Sequence, residues 1–223
     1  MHLLIASDIF GKTVPFQNLC NSLETRLKNR IQSCKLTDPY LGQSMNFESE
    51  SLAYEHFIST GGIQAYATIL SKNIREQIPP DDCRNLLFIG FSAGASAFWY
   101  LSGQTITGSN PIDPVRKAVL FYPSRISEVR HIRLSFETEL IFPCCEPGYE
   151  VDQLIGELGP IGASLTPSIT PCPGAFITAE GNSPVRCVKT PFLHGFMNEL
   201  SPNYDASGYE AFVSWLISST GRA

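Results

Sequence analysis

Residues 86–102 read LLFIGFSAGASAFWYLS: six apolar residues, a serine framed by two glycines, then a run of small and aromatic residues. No other stretch restricts the fold so much. The apolar run has the length and composition of a buried strand, and a helix is expected to run from about residue 93 to 102. Gly90-Phe91-Ser92-Ala93-Gly94 lies between them and satisfies G-x-S-x-G in the context that gives the pattern a mechanism. The turn is so sharp that side chains two positions either side of the serine would collide. It lifts the Ser92 hydroxyl above the sheet edge, with a helix N-terminus behind it that favours negative charge.

The flanking chain supplies a sheet. Strands are expected at 2–7, 31–36, 86–91, 117–122 and 138–144, with strand-like residues at 175–178 and 185–190. Phe16, Leu19, Leu23 and Leu27 recur at helical spacing behind Thr13 as N-cap and Pro15 in the first turn. Residues 48–78 read as a helix in two pieces broken at Gly61–Gly62 and stopped by Pro79–Pro80. A short helix carries Leu154, Ile155 and Leu158, and a last one spans 208–219. Strands alternating with helices imply a mostly parallel sheet covered on both faces. The Pro/Gly/Ser/Thr-rich segment 159–174 reads as an insertion within one domain covering 1–223.

Composition removes several classes. A net charge of −5 and the lack of any large Lys/Arg cluster argue against nucleic acid or an anionic membrane as partner. No apolar run approaches a membrane span. Gly11-Lys12-Thr13 has the tail of a phosphate loop, but Ala6 stands where its first glycine belongs, and Asp8 and Phe10 would repel and crowd an anion. Seven cysteines without repeated spacing, behind an N-terminus without signal-peptide features, suggest reduced thiols and a cytoplasmic protein. Cys144–Cys145 reads as a pair of buried strand thiols, with a redox pair as the other option. The absence of C-x-x-C and the scattered histidines argue against zinc.

A serine hydroxyl needs a base. Of four histidines, His2 lies at the wrong end of the first strand, while His56 and His131 fall in helical and polar surface stretches. His194, in TPFLHGF, falls in a loop between the last strand and the last helix, where the chain order serine, acid, histidine would put it.

Taken in order, ASDIFG, LTDPYLG, GFSAG, VLFYP and HGF resemble the dienelactone hydrolase family of the α/β hydrolases across most of the chain. The resemblance implies an α/β-hydrolase fold without a large cap. It also implies that the backbone N–H groups of Ile9 and Ala93 form an oxyanion hole. Asp8 matches a family glutamate; it would either orient Ser92 or hydrogen-bond its own loop. Asp8, Phe10, Phe91, Phe196 and Asn198, beside the motif residues, are expected to bind substrate.

Three departures qualify the resemblance. The family's cysteine nucleophile is Ser92 here, which suits ordinary ester cleavage. Ungapped alignment on Val151 puts Gly148 in the slot of the family's aspartate, leaving Glu146, Glu150 and Asp152 as candidate acids, with Glu146 closest to the strand. Asn198 replaces an arginine that holds a substrate carboxylate, and a neutral amide cannot do that work. The expectation is therefore a serine hydrolase of small esters or lactones, with no metal or organic cofactor implied; a homodimer is compatible with it. The alternative is a non-catalytic binding protein on the same fold.

Overall fold

A computed structural model describes residues 1–77, 85–104, 112–158, 177–179 and 184–219. Segment 159–174, the Pro79–Pro80 stop, Cys83 and Cys172 lie outside them. Seven strands form one sheet: β1 (His2–Ala6), β2 (Ser33–Thr37), β3 (Leu86–Phe91), β4 (Val115–Phe121), β5 (Glu137–Phe142), β6 (Ile177–Ala179) and β7 (Val185–Lys189). Their order is β2-β1-β3-β4-β5-β7-β6, parallel throughout except for β6, which runs antiparallel to β7.

The helices are α1 (Val14–Leu27), α2 (Glu50–Ser59), α3 (Gly62–Gln77), α4 (Ala93–Ser102), α5 (Val151–Leu158) and α6 (Ala206–Ser219). Strands buried on both faces alternate between two cores. Leu3, Ile5, Leu87, Ile89 and Phe91 pack with α1 and α6, whereas Leu4, Ala6, Leu86 and Phe88 pack with α3, α4 and α5. The chain moves outward from β1 to β2, then returns past β1 to β3 and continues the other way. A crevice at the C-terminal strand ends is expected where the order reverses, between β1 and β3.

Local chemistry explains where the elements begin and end. The Thr13 side chain accepts from the Phe16 amide and starts α1. Strand β2 begins at Ser33 rather than 31, because the Arg30 and Ile31 amides still bond back to the Leu27 carbonyl. The break between α2 and α3 falls at Gly61 and Gly62, both at positive φ. Helix α6 starts two residues before the expected 208, behind Asp205, whose side chain accepts from the Gly208 amide at 2.7 Å. Strand β5 ends at Phe142, before Pro143. Cys144 and Cys145 are therefore a half-buried and an exposed loop thiol rather than strand residues.

The two glycines of the serine motif have different reasons. A Cβ on Gly90 would lie 2.8 Å from Ala95 Cα, inside the turn itself. A Cβ on Gly94 would lie 2.5 Å from the Ser7 carbonyl oxygen and 2.8 Å from Ala6, on the neighbouring strand. Gly94 thus lets the start of α4 touch the end of β1. Gly94→Ala must push these backbones apart, and we expect a loss of about 1–3 kcal/mol, a melting temperature lower by roughly 3–10 °C in a thermal scan.

Candidate active site

Ser92 follows β3 directly and is the N-cap of α4, with φ +47° and ψ −108°. A non-glycine residue rarely adopts this backbone, which costs on the order of 1–3 kcal/mol. The Ser92 amide donates to the Phe121 carbonyl at 2.9 Å, and its carbonyl accepts from both the amide and the hydroxyl of Ser96 at 2.9 Å. These bonds hold the turn open at the sheet edge.

The Ser92 hydroxyl lies 2.9 Å from His194 Nε2, and His194 Nδ1 lies 2.5 Å from Glu146 Oε1. The Glu146 side chain is only 4% exposed. Glu146 follows β5 by four residues and pairs with Tyr149 in an isolated bridge around Pro147-Gly148. Proline followed by glycine at φ +108° is the chemistry of a type II turn. That turn folds the loop back and brings Glu146 to the imidazole. Asp152 instead pairs with Lys189 at 2.6 Å, and Glu150 is exposed.

His194 is held from three other sides. The Asn203 side chain donates to its carbonyl at 2.9 Å, and the Tyr122 ring centroid lies 4.8 Å from the imidazole. Gly195, at φ +86°, turns the loop under Ser201. His2, His56 and His131 are elsewhere: His2 pairs with Ser33, His56 packs on Tyr40 and Phe47, and His131 is exposed.

The loop after β1 is a compact turn. The Asp8 carbonyl accepts from the Gly11 amide and the Ser7 hydroxyl, both at 3.2 Å. In a trans peptide this turns the Ile9 N–H the opposite way, out of the turn. The Tyr40 hydroxyl donates to the Ile9 carbonyl at 2.7 Å, and Asp38 braces Tyr40 by accepting from its amide at 2.8 Å. Ile9 and Ala93 line the same cleft as Ser92.

That cleft has a volume of about 710 Å³, the size of a small-molecule site. Phe57, Ile63, Tyr54 and Leu193 give it apolar walls, and Arg125, Glu128, Glu50 and Tyr149 complete it. Arg125 donates to the Glu128 carboxylate and to the Tyr54 hydroxyl, so its charge is already matched.

The expected substrate-binding set lies behind this cleft rather than in it. Phe91 alternates onto the other face of β3 and packs between Phe16 and Phe121. Phe196 is fully buried against Phe192 and Phe212. Phe10 is buried, with its amide on Asp8 Oδ1 at 2.9 Å. Asn198 is buried outside the cleft lining, where it donates to Asp8 Oδ2 at 2.6 Å and accepts from the Leu200 amide. Asp8 therefore bonds its own loop and the histidine loop. Tyr122, Tyr40 and Arg125 follow strand ends closely, which is the one sequence signal for them, whereas Asn203 lies far along the loop between β7 and α6 and has none.

Among the described residues no helix is long and apolar enough to cross a membrane, and no group of three His, Cys, Asp or Glu side chains is placed to hold a metal ion. No protein-family model matches the chain. A curated Bacillus subtilis protein, uncharacterised YczH, is 31% identical over 126 residues, 55% of this chain and 56% of that one. The match therefore spans little more than half the length of that relative.

Solved structures match over nearly the whole chain. A Klebsiella pneumoniae protein assigned as a dienelactone hydrolase superposes with a TM-score of 0.63 at 12% identity, covering 100% of this chain and 87% of that one. The fold is that of the α/β hydrolases. The dienelactone hydrolase-like promiscuous phosphotriesterase P91, from metagenomic libraries, gives 0.60 at 12% identity over 98% and 86% of the two chains. Esterase 2 of Thermogutta terrifontis gives 0.55 at 12% over 99% and 83%.

Asp8 gives the site a pH dependence. Burial pushes its carboxyl up from 3.8 to about 6, against the Phe10 amide, the Asn198 amide and nearby His194. An acid whose pKa rises on folding holds its proton more tightly in the folded state. It stabilises fully below about pH 4, and that stability is lost as the pH climbs through 6. The displacement corresponds to at most about 3 kcal/mol. Denaturant unfolding should show wild type losing up to that amount relative to Asp8→Asn between pH 4 and 7. A constant difference would mean that Asp8 does not titrate in this window.

Proposed function

We propose that this chain is a serine hydrolase of small, uncharged carboxylic esters or lactones, of the dienelactone hydrolase-like kind, and that residues 1–223 form one catalytic domain. The observation that carries the reading is the hydrogen-bonded series Ser92, His194, Glu146, standing on a strained strand-to-helix turn and opening into a 710 Å³ cleft.

In this reading Ser92 Oγ attacks the ester carbonyl while His194 Nε2 takes its proton. The proton then goes to the departing alkoxide, leaving an acyl group on Ser92. Water, deprotonated by the same imidazole, releases the acid. Glu146 keeps the Nδ1 proton in place and favours the transient imidazolium. The Ile9 and Ala93 N–H groups hold the oxyanion, aided by the N-terminus of α4.

The cleft's chemistry supports an uncharged substrate. Arg125 is committed to Glu128, Asn198 is committed to Asp8, and Glu50 adds a further negative charge to the lining. No free guanidinium among the lining residues is left for a substrate carboxylate. The apolar walls suit an alkyl or aryl ester of modest size.

Turnover of p-nitrophenyl acetate tests the reading. Ser92→Ala should lose several orders of magnitude, and Glu146→Gln roughly two to four, because a neutral amide neither stabilises the imidazolium nor fixes its tautomer. Glu150→Gln and Asp152→Asn should stay within about tenfold, roughly 1.4 kcal/mol of barrier. Full activity in Ser92→Ala would remove the mechanism, and wild type without activity on any short ester would favour a non-catalytic binding protein.

A further inference from the structure

The Sγ atoms of Cys20, in the middle of α1, and Cys34, in β2, lie 3.0 Å apart. Thiols in ordinary contact sit farther apart, and a disulfide needs about 2.0 Å. Cys20 is buried against the core on that face, while Cys34 is partly exposed at the sheet's outer strand. The remaining described thiols are arranged differently. Cys187 is fully buried, and Cys144 and Cys145 are chain neighbours with sulfurs 3.9 Å apart.

We propose that Cys20 and Cys34 are a disulfide-forming pair that, when oxidised, staples helix α1 to edge strand β2. The position gives the staple leverage. Helix α1 begins just after the Asp8–Gly11 turn, and β2 leads into Asp38 and Tyr40, whose hydroxyl holds the Ile9 carbonyl. The helix that follows the Ile9 loop and the strand that leads to its Tyr40 brace would thus be tied together, through a closed loop of residues 20–34.

A small disulfide such as oxidised glutathione supplies the oxidant. The Cys34 thiolate, the accessible one, attacks one glutathione sulfur and releases one glutathione thiolate. The Cys20 thiolate then attacks Cys34 Sγ in the mixed disulfide and releases the second. Two thiol protons leave, and two electrons pass from the cysteines to the glutathione disulfide. The shared hydrogen bond raises the Cys34 thiol and lowers that of Cys20, and because only a thiolate attacks, exchange should run faster at pH 9 than at pH 7.

The full chain, purified under reductant, is incubated with oxidised glutathione and digested without reduction. The expected result is one peptide pair linked through Cys20 and Cys34 and the loss of two titratable thiols. Melting should rise by roughly 6–12 °C and return on adding dithiothreitol. Cys34→Ser, altered at the half-exposed position, should show neither the thiol loss nor the reductant-dependent shift, and Cys20→Ala should behave the same way. An unchanged thiol count, a stable glutathione adduct on Cys34 alone, or a linkage through other cysteines would each overturn the proposal. None of these outcomes depends on hydrolase activity.

Discussion

The Ser92 backbone is the constraint on which the rest of the site depends. Its φ and ψ are sterically costly for a residue with a side chain, so the surroundings must hold it there. Phe121 accepts its amide hydrogen from the next strand, Ser96 ties down its carbonyl, and Gly94 lets α4 press on the Ser7 carbonyl. The Ser96 hydroxyl also accepts from the Arg125 amide, at 3.2 Å, which links the turn to the wall of the cleft. A hydroxyl carried on a fixed backbone needs no reorganisation to meet an incoming carbonyl.

The loops around the turn are braced against one another. Asn198 joins the histidine loop to the loop after β1 through Asp8, and Tyr40 ties that second loop to the one after β2. Asn203 fixes the His194 backbone. Where these loops meet, the Asn198 amide stands beside a buried carboxyl, Asp8, whose pKa rises to about 6. That pairing keeps the two loops in register.

What the sequence revealed was short-range. The strand–turn–helix around Ser92, the Thr13 cap and the Gly61–Gly62 break rest on residues a few positions apart, where periodicity and turn chemistry act directly. Glu146 is legible as a candidate because it sits near a strand end, but the Pro147-Gly148 turn that carries it to His194 sets it two positions before Gly148, the slot that ungapped alignment gives. Phe91 faces away from the cleft, and because β3 is apolar on both faces, alternation does not tell which core it joins. Phe196 lies in the histidine loop, where no periodicity exists to show that it packs inward on Phe192 and Phe212. The Asp8–Asn198 bond spans 190 positions in the chain, and the Cys20–Cys34 contact joins a helix to a strand. Neither leaves a periodic mark.

The central claim is that this geometry makes Ser92 a nucleophile. An active-site-directed fluorophosphonate reports on that without knowledge of the substrate, because it reacts with an activated serine hydroxyl. Peptide mapping by mass spectrometry after labelling should place the adduct on Ser92 alone, with labelling slowed by orders of magnitude in folded His194→Ala. A folded wild-type protein that takes no label, or that takes it on another serine, would contradict the account.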